Sequence, residues 1–158
     1  MPGVGNFDPA IRSIRDYSAL GFHDFVKDKI PVLGICLGME MFFQQSQEGK
    51  ESGLDVMSGE VVLLPDTMKI PHMGWNNLEI TNDSKILEGV DNNSWVYFVH
   101  SYRAKPNDEK FIVANADYGI KVPAVVENGL FFGTQFHPEK SGKVGSLMIK
   151  NFLRVCTK

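Results

Sequence analysis

Ile11, Ile14 and Tyr17 recur three residues apart behind Asp8-Pro9, the spacing of one face of an amphipathic helix. Asp8 suits the N-cap and Pro9 the first helical position. Gly21 ends this helix near residue 20, and residues 22–28 suit a second, short one. Ile30-Pro31-Val32-Leu33-Gly34-Ile35 is apolar at nearly every position, as in a strand buried on both faces. After Cys36 the pattern turns helical through Leu37, Met41 and Phe42 to about Gln47, with Gly49 as the stop. Helix, strand and helix in succession belong to the α/β class.

The second half reads as short strands at 60–64, 75–80, 96–102, 111–116, 124–127 and 130–136. Asn128-Gly129 between the last two is a two-residue hairpin signal. A closing helix spans 144–155, with Val144, Leu147, Met148, Phe152 and Val155 on one face. No repeat or linker interrupts the chain, so residues 1–158 read as a single domain. The expected fold is α/β: a doubly wound, mostly parallel sheet with an antiparallel, strand-rich extension. The chain opens on a glycine turn, Pro2 to Gly5, and not on the strand that normally starts such a sheet. The usual first strands are therefore expected to be lacking, which leaves the run 30–35 with an unpaired neighbour.

Composition narrows the functional classes. Sixteen basic residues against 19 acidic ones give a net charge of −3, with no basic surplus to neutralise phosphates, so nucleic acid is not an expected partner. No apolar run approaches the roughly 20 residues of a membrane span. The start, Met1-Pro2-Gly3-Val4-Gly5, has neither a basic nor an apolar signal region. Cys36 and Cys156 are too few for a disulfide framework. A reduced cytoplasmic setting is the expectation.

Gly34-Ile35-Cys36-Leu37-Gly38 falls at a strand-to-helix junction and has the layout of a nucleophile elbow with Cys in place of Ser. Glycines on either side allow the tight turn, and a helix N-terminus favours thiolate. The Leu37 amide is placed to serve as an oxyanion donor. A cysteine after an apolar strand is otherwise a small buried hydrophobe; the paired glycines favour the nucleophile. A thiol needs a base, and His137 directly follows a strand, so it faces the same sheet edge as the elbow. Glu139 can accept from its far ring nitrogen and fix the tautomer. His23 reads as a solvated helix residue, and His72 and His100 as hydrogen-bonded structural histidines. No histidine or cysteine spacing suggests a metal site, and no cofactor is implied.

Pro2-Gly3-Val4-Gly5-Asn6-Phe7, the elbow, Pro71-His72-Met73-Gly74-Trp75-Asn76, His100-Ser101-Tyr102-Arg103 and His137-Pro138-Glu139-Lys140-Ser141 together resemble the class I glutamine amidotransferases. Within them, the segments resemble the branch of glutaminase subunits that serve imidazole glycerol phosphate synthases in histidine biosynthesis. The resemblance covers the whole chain in order. It implies a Cys36–His137–Glu139 triad hydrolysing glutamine, and an oxyanion hole from Leu37 with Val4 or Gly5. It further implies substrate contacts from Gly38, Glu40, Ser101 and Tyr102. Ammonia would pass to a (β/α)₈ cyclase subunit meeting Trp75 and Lys140, although Trp75 also suits an ordinary core. The peptide at Val4-Gly5 is implied to point its carbonyl inward at rest and to turn when the partner binds. The resemblance also implies strands and a helix ahead of Pro2, so the chain reads as N-terminally shortened. Glu40 departs from the family, which usually has Gln there; it reads either as a substrate contact or as a first-turn acid. Two other readings fit the same residues: a different class I amidotransferase or Cys-His-Glu hydrolase, and a non-catalytic, truncated binding remnant.

Overall fold

The computed structural model describes residues 1–17, 26 and 30–157. Where the sequence suggests a bare loop, Pro2–Gly3 forms a two-residue strand, β1. It runs parallel to β2 (Val32–Cys36), with Pro2 opposite Ile35 and Gly3 opposite Cys36. The Ile35 amide extends the ladder to the Met1 carbonyl. The apolar run is therefore paired along its C-terminal half, beside the elbow.

Helix α1 (Phe7–Tyr17) begins two residues ahead of the expected first helical position, so Asp8 is not its N-cap. The Phe7 amide finds its acceptor in a distant loop, at Glu48 Oε2, 2.9 Å away. The Asp8 carboxylate instead accepts from the amides of Lys50 and Glu51 at 2.9 and 3.0 Å. Carboxylate–amide bonds in both directions, one to Glu48 and two to Asp8, thus tie the helix start to the loop at 48–51. Of the expected helix at 22–28 only Val26 is described, helical and buried; its other residues, Gly21 and His23 lie outside the described residues.

After Cys36, helix α2 (Leu37–Glu40) lasts a single turn, where the apolar pattern suggested about three. Met41, Phe42 and Phe43 are all buried, and three consecutive side chains cannot share one helix face. The backbone turns away to pair elsewhere. Met41, Phe42 and Gln44 carbonyls accept from Leu54, Val56 and Gly53, and the Gln44 amide donates to Gly59.

The remaining elements are β3 (Gln45–Ser46), β4 (Gly59–Leu63), β5 (His72–Asn77), β6 (Glu79–Ile80), β7 (Trp95–His100), β8 (Tyr102–Pro106), β9 (Ile112–Asp117), β10 (Lys121–Asn128), β11 (Phe131–Thr134) and helix α3 (Gly142–Cys156). The main sheet has the order β1-β2-β11-β10-β9-β6. Its parallel part is β1-β2-β11, and antiparallel pairing continues from β11 outward. Parallel core and antiparallel extension are therefore one mixed sheet. Successive residues feed opposite faces: Val125 and Phe132 enter one apolar cluster with Phe98, Phe136 and Met148, while Val126 and Phe131 enter another with Met39, Phe42 and Phe43. That two-sided burial makes β2 apolar throughout and β11 apolar up to Thr134 at its end.

The strand expected at 96–102 is two strands. β7 pairs with β5, β8 pairs with β4, and the chain changes sheet at Ser101. The change of partner breaks the ladder and leaves Ser101 and Tyr102 at a bend. The hairpin between β10 and β11 sets Asn128 opposite Phe131, so its loop is Gly129-Leu130, one residue later than the sequence signal.

Candidate active site

Cys36 sits where β2 stops and α2 starts, with φ 53° and ψ −110°. A left-handed conformation at a non-glycine residue costs on the order of 1–3 kcal/mol and persists only where neighbours enforce it. Here β1 and β11 flank β2, and α2 begins at the next residue. The glycines around it permit close approach. A Cβ on Gly34 would lie 2.5 Å from the Gly38 carbonyl oxygen, and one on Gly38 would overlap that of Met1. Gly38, expected at the substrate, is instead packed behind the elbow and does not line the cavity.

The cavity in front of Cys36 has a volume of about 360 Å³, within the range of small-molecule sites. Leu37, Val4 and Gly5 line it on the elbow side, Ser101, Tyr102 and His137 on the other. Gly5 has φ 118°, a backbone state that glycine reaches at little cost. The Val4-Gly5 loop is held at both ends, by the pairing of Gly3 with Cys36 and by the Phe7–Glu48 bond.

His137 is buried, and its Nδ1 lies 2.7 Å from Glu139 Oε1. A carboxylate only accepts, so Nδ1 carries a proton and donates, which leaves Nε2 as the ring nitrogen free to exchange one. That Nε2 is buried and has no protein partner among the described residues. The backbone holds the ring in place: the His137 amide donates to Tyr97 O at 2.9 Å, and Ser141 Oγ donates to His137 O at 2.6 Å.

Burial, and secondly the charge of Glu40, push the Cys36 thiol up to about 12. The amides of Leu37 and Gln135 pull in the opposite direction. The dipole help expected from the following helix is outweighed, because α2 is one turn long and desolvation dominates. The thiol rests against Val99 O at 3.8 Å.

Glu40 is buried at the cavity wall and accepts from Gln135 Nε2 at 3.1 Å. Burial raises it to about 7; the neighbouring charge of Glu48 adds to the rise and the Gln135 bond opposes it. Glu48 is a second carboxylate lining the cavity. Neither Glu48 nor Gln135 stood out in the sequence. Gln135 carried a usable signal, since a strand over 130–136 would put it on the face of His137 two residues on; the structure ends β11 at Thr134 and bends the chain at Gln135 and Phe136. Glu48 carried none, because a loop places it from across the fold.

His72 and His100 are buried and bonded to each other, His72 Nδ1 to His100 Nε2 at 2.8 Å, while His100 Nδ1 donates to Tyr102 O at 2.7 Å. Both are depressed to about 4, chiefly by burial. Trp75 and Lys140 lie away from the cavity. Trp75, Met73 and Trp95 are exposed on the outer face of the β5–β7 ribbon. Trp75 packs edge-on against Tyr97 at 6.0 Å, and Lys140 Nζ stands 5.9 Å from the same ring.

A family model described as glutamine amidotransferase class-I matches residues 1–156. The chain is 44% identical over 156 residues to imidazole glycerol phosphate synthase subunit HisH of Methanocaldococcus jannaschii, covering 98% of this chain and 79% of that protein. It is 46% identical over 158 residues to the HisH subunit of Archaeoglobus fulgidus, covering 98% and 77%. Among solved structures it is similar to a glutamine amidotransferase with TM-score 0.72, at 18% identity over 99% of this chain and 77% of that one. It is also similar to a putative GMP synthase subunit from Thermoplasma acidophilum, with TM-score 0.69, at 20% identity over 99% and 70%.

Proposed function

The chain belongs to the class I glutamine amidotransferase family, and from that premise we propose that it is the glutaminase subunit of an imidazole glycerol phosphate synthase, with Cys36, His137 and Glu139 as its catalytic residues. The observation that carries the reading is the strained elbow. Cys36 opens into an amino-acid-sized cavity that also holds the bare, buried Nε2 of His137.

In this reading His137 Nε2 takes the Cys36 proton, and the thiolate adds to the side-chain carboxamide carbon of glutamine. The Leu37 amide, with one from the Val4-Gly5 loop, stabilises the oxyanion, each donor being worth about 3 kcal/mol. Collapse breaks the C–N bond, His137 gives its proton to the departing ammonia, and a γ-glutamyl thioester remains. Water then attacks the thioester as His137 accepts its proton, releasing glutamate and restoring the thiol. Glu139 keeps the ring in the required tautomer. Ser101 and Tyr102 contact the substrate from the sheet-crossing bend. Glu48, an anion in the cavity, suits the substrate ammonium.

The partner is a cyclase subunit, for which a (β/α)₈ fold is the expectation, docking on the apolar face around Trp75 and Lys140. The test is steady-state conversion of glutamine to glutamate by this chain, with and without a cyclase subunit from one of the similar organisms. Turnover that depends on Cys36 and rises with the partner is expected. Absence of Cys36-dependent turnover in both arms would overturn the assignment.

A further inference from the structure

Gln135 is fully buried, and its Nε2 faces two acceptors at once: Glu40 Oε1 at 3.1 Å and Cys36 Sγ at 4.0 Å. The two contacts are unequal: 3.1 Å to the carboxyl is a full hydrogen bond, whereas 4.0 Å to sulfur is a long one, so the amide is drawn toward Glu40. The Gln135 Oε1 is buried without a hydrogen-bond partner among the described residues, so nothing fixes the amide from behind. Glu48 and Cys36 adjoin Glu40, while Glu139 and His137 adjoin the Cys36 side. No lysine or arginine lines the cavity among the described residues. A thiol that must ionise thus sits beside a buried carboxyl, with His137 and His100 as the basic side chains in the cavity lining among the described residues, and a single amide joins thiol and carboxyl.

We propose that Gln135 is a positioning residue for the nucleophile, and that the proton on Glu40 decides how much of its amide reaches the Cys36 sulfur. With Glu40 ionised, the amide is held by the carboxylate, and the nearby negative charge keeps the thiol protonated. With Glu40 protonated, that charge is gone and the amide is available to the thiolate. Burial places the Glu40 transition at about 7, so the brake is set or released around neutrality. The inference rests on Cys36 being the nucleophile, as proposed above.

The test is the rate of Cys36 alkylation by iodoacetamide from about pH 5.5 to 8.5, in the full chain carrying Cys156→Ser, compared with the same chain carrying Glu40→Gln. Two like charges within a few ångströms shift ionisation by about one unit or more. The Glu40→Gln rate should therefore match the parent at low pH and exceed it by about tenfold at high pH, with the change centred near neutrality. A ratio that stays constant with pH overturns the proposal. Gln135→Met removes the donor while keeping the volume. It should slow alkylation and move the inflection to higher pH, because Glu40 loses the bond that lowers it; an unmoved inflection removes Gln135 from the proposal. If the methionine variant does not fold, Gln135→Asn retracts the amide from both acceptors and is held to the same outcome. Alkylation needs no glutamine, so loss of glutaminase activity with this profile intact counts against the proposed reaction alone.

Discussion

At the scale of single residues, two cysteines in one chain separate chemistry from surface. Cys36 is held at φ 53° in front of a cavity, and Cys156 is exposed at the end of α3. An electrophilic glutamine analogue such as a diazo-ketone should label Cys36 alone, because the cavity must hold the analogue before the sulfur can attack. Mass spectrometry of the labelled peptide checks this, and label that persists in Cys36→Ser would refute the assignment. Glu139 allows a graded prediction. A buried carboxylate behind a catalytic imidazole is worth about 10⁴ in rate, but the Glu139 side chain is 46% exposed. Water screens it and can replace it in part. Glu139→Gln should lower kcat for glutamine by about ten- to hundredfold, far less than the loss in Cys36→Ser. A loss equal to that of Cys36→Ser would mean that Glu139 does more than orient the ring.

At the scale of elements, the elbow was legible because its constraint is local. A turn of this kind needs glycine at fixed offsets, and the sequence shows the offsets directly. Gly34→Ala should therefore be costly: the new Cβ would come within 2.7 Å of three backbone atoms of Gly38 and Met39, which cannot give way as a flexible side chain could. A loss of about 2 kcal/mol or more in urea denaturation is expected, with Ser13→Ala on the exposed side of α1 as a neutral reference. The length of α2 was not legible, because the apolar run Met41-Phe42-Phe43 fits a helix until tertiary pairing with 53–57 claims its carbonyls. The start of α1 misled in a related way. Asp8-Pro9 is a sound local capping signal, yet Glu48 supplies the acceptor from 41 residues away, and Asp8 turns to cap a loop. The break at Ser101 was hidden for the same reason, since 96–102 is uniformly strand-like and only the change of sheet divides it. In each case the sequence carried the residue type and lacked the partner.

At the scale of the whole molecule, three buried titratable groups oppose one another across one pH range. His72 and His100 are depressed from 6.5 to about 4. Between those values the unfolded chain binds protons that the folded chain refuses, so their contribution to stability is complete above about 6.5 and is lost as pH falls toward 4. Glu40 is raised from 4.5 to about 7. Between those values the folded chain holds a proton that the unfolded chain has released, so its contribution is complete below about 4.5 and is lost as pH rises toward 7. The two slopes have opposite signs over nearly the same interval, and each tenfold change in proton affinity is worth about 1.4 kcal/mol. Glu40 therefore masks part of the acid sensitivity that the histidine pair creates. Glu40→Gln keeps the shape and removes the titration. The variant should be more stable than the parent at about pH 7.5, lose that advantage near pH 4.5, and show a steeper dependence of urea midpoint on pH in between. The pair His72→Asn and His100→Asn in the parent should reverse the sign, so that stability falls as pH rises through the same range. Equal pH slopes in the parent and Glu40→Gln would show that this carboxyl is not titrating inside the folded cavity, and would remove the energetic basis for treating it as a brake on the nucleophile.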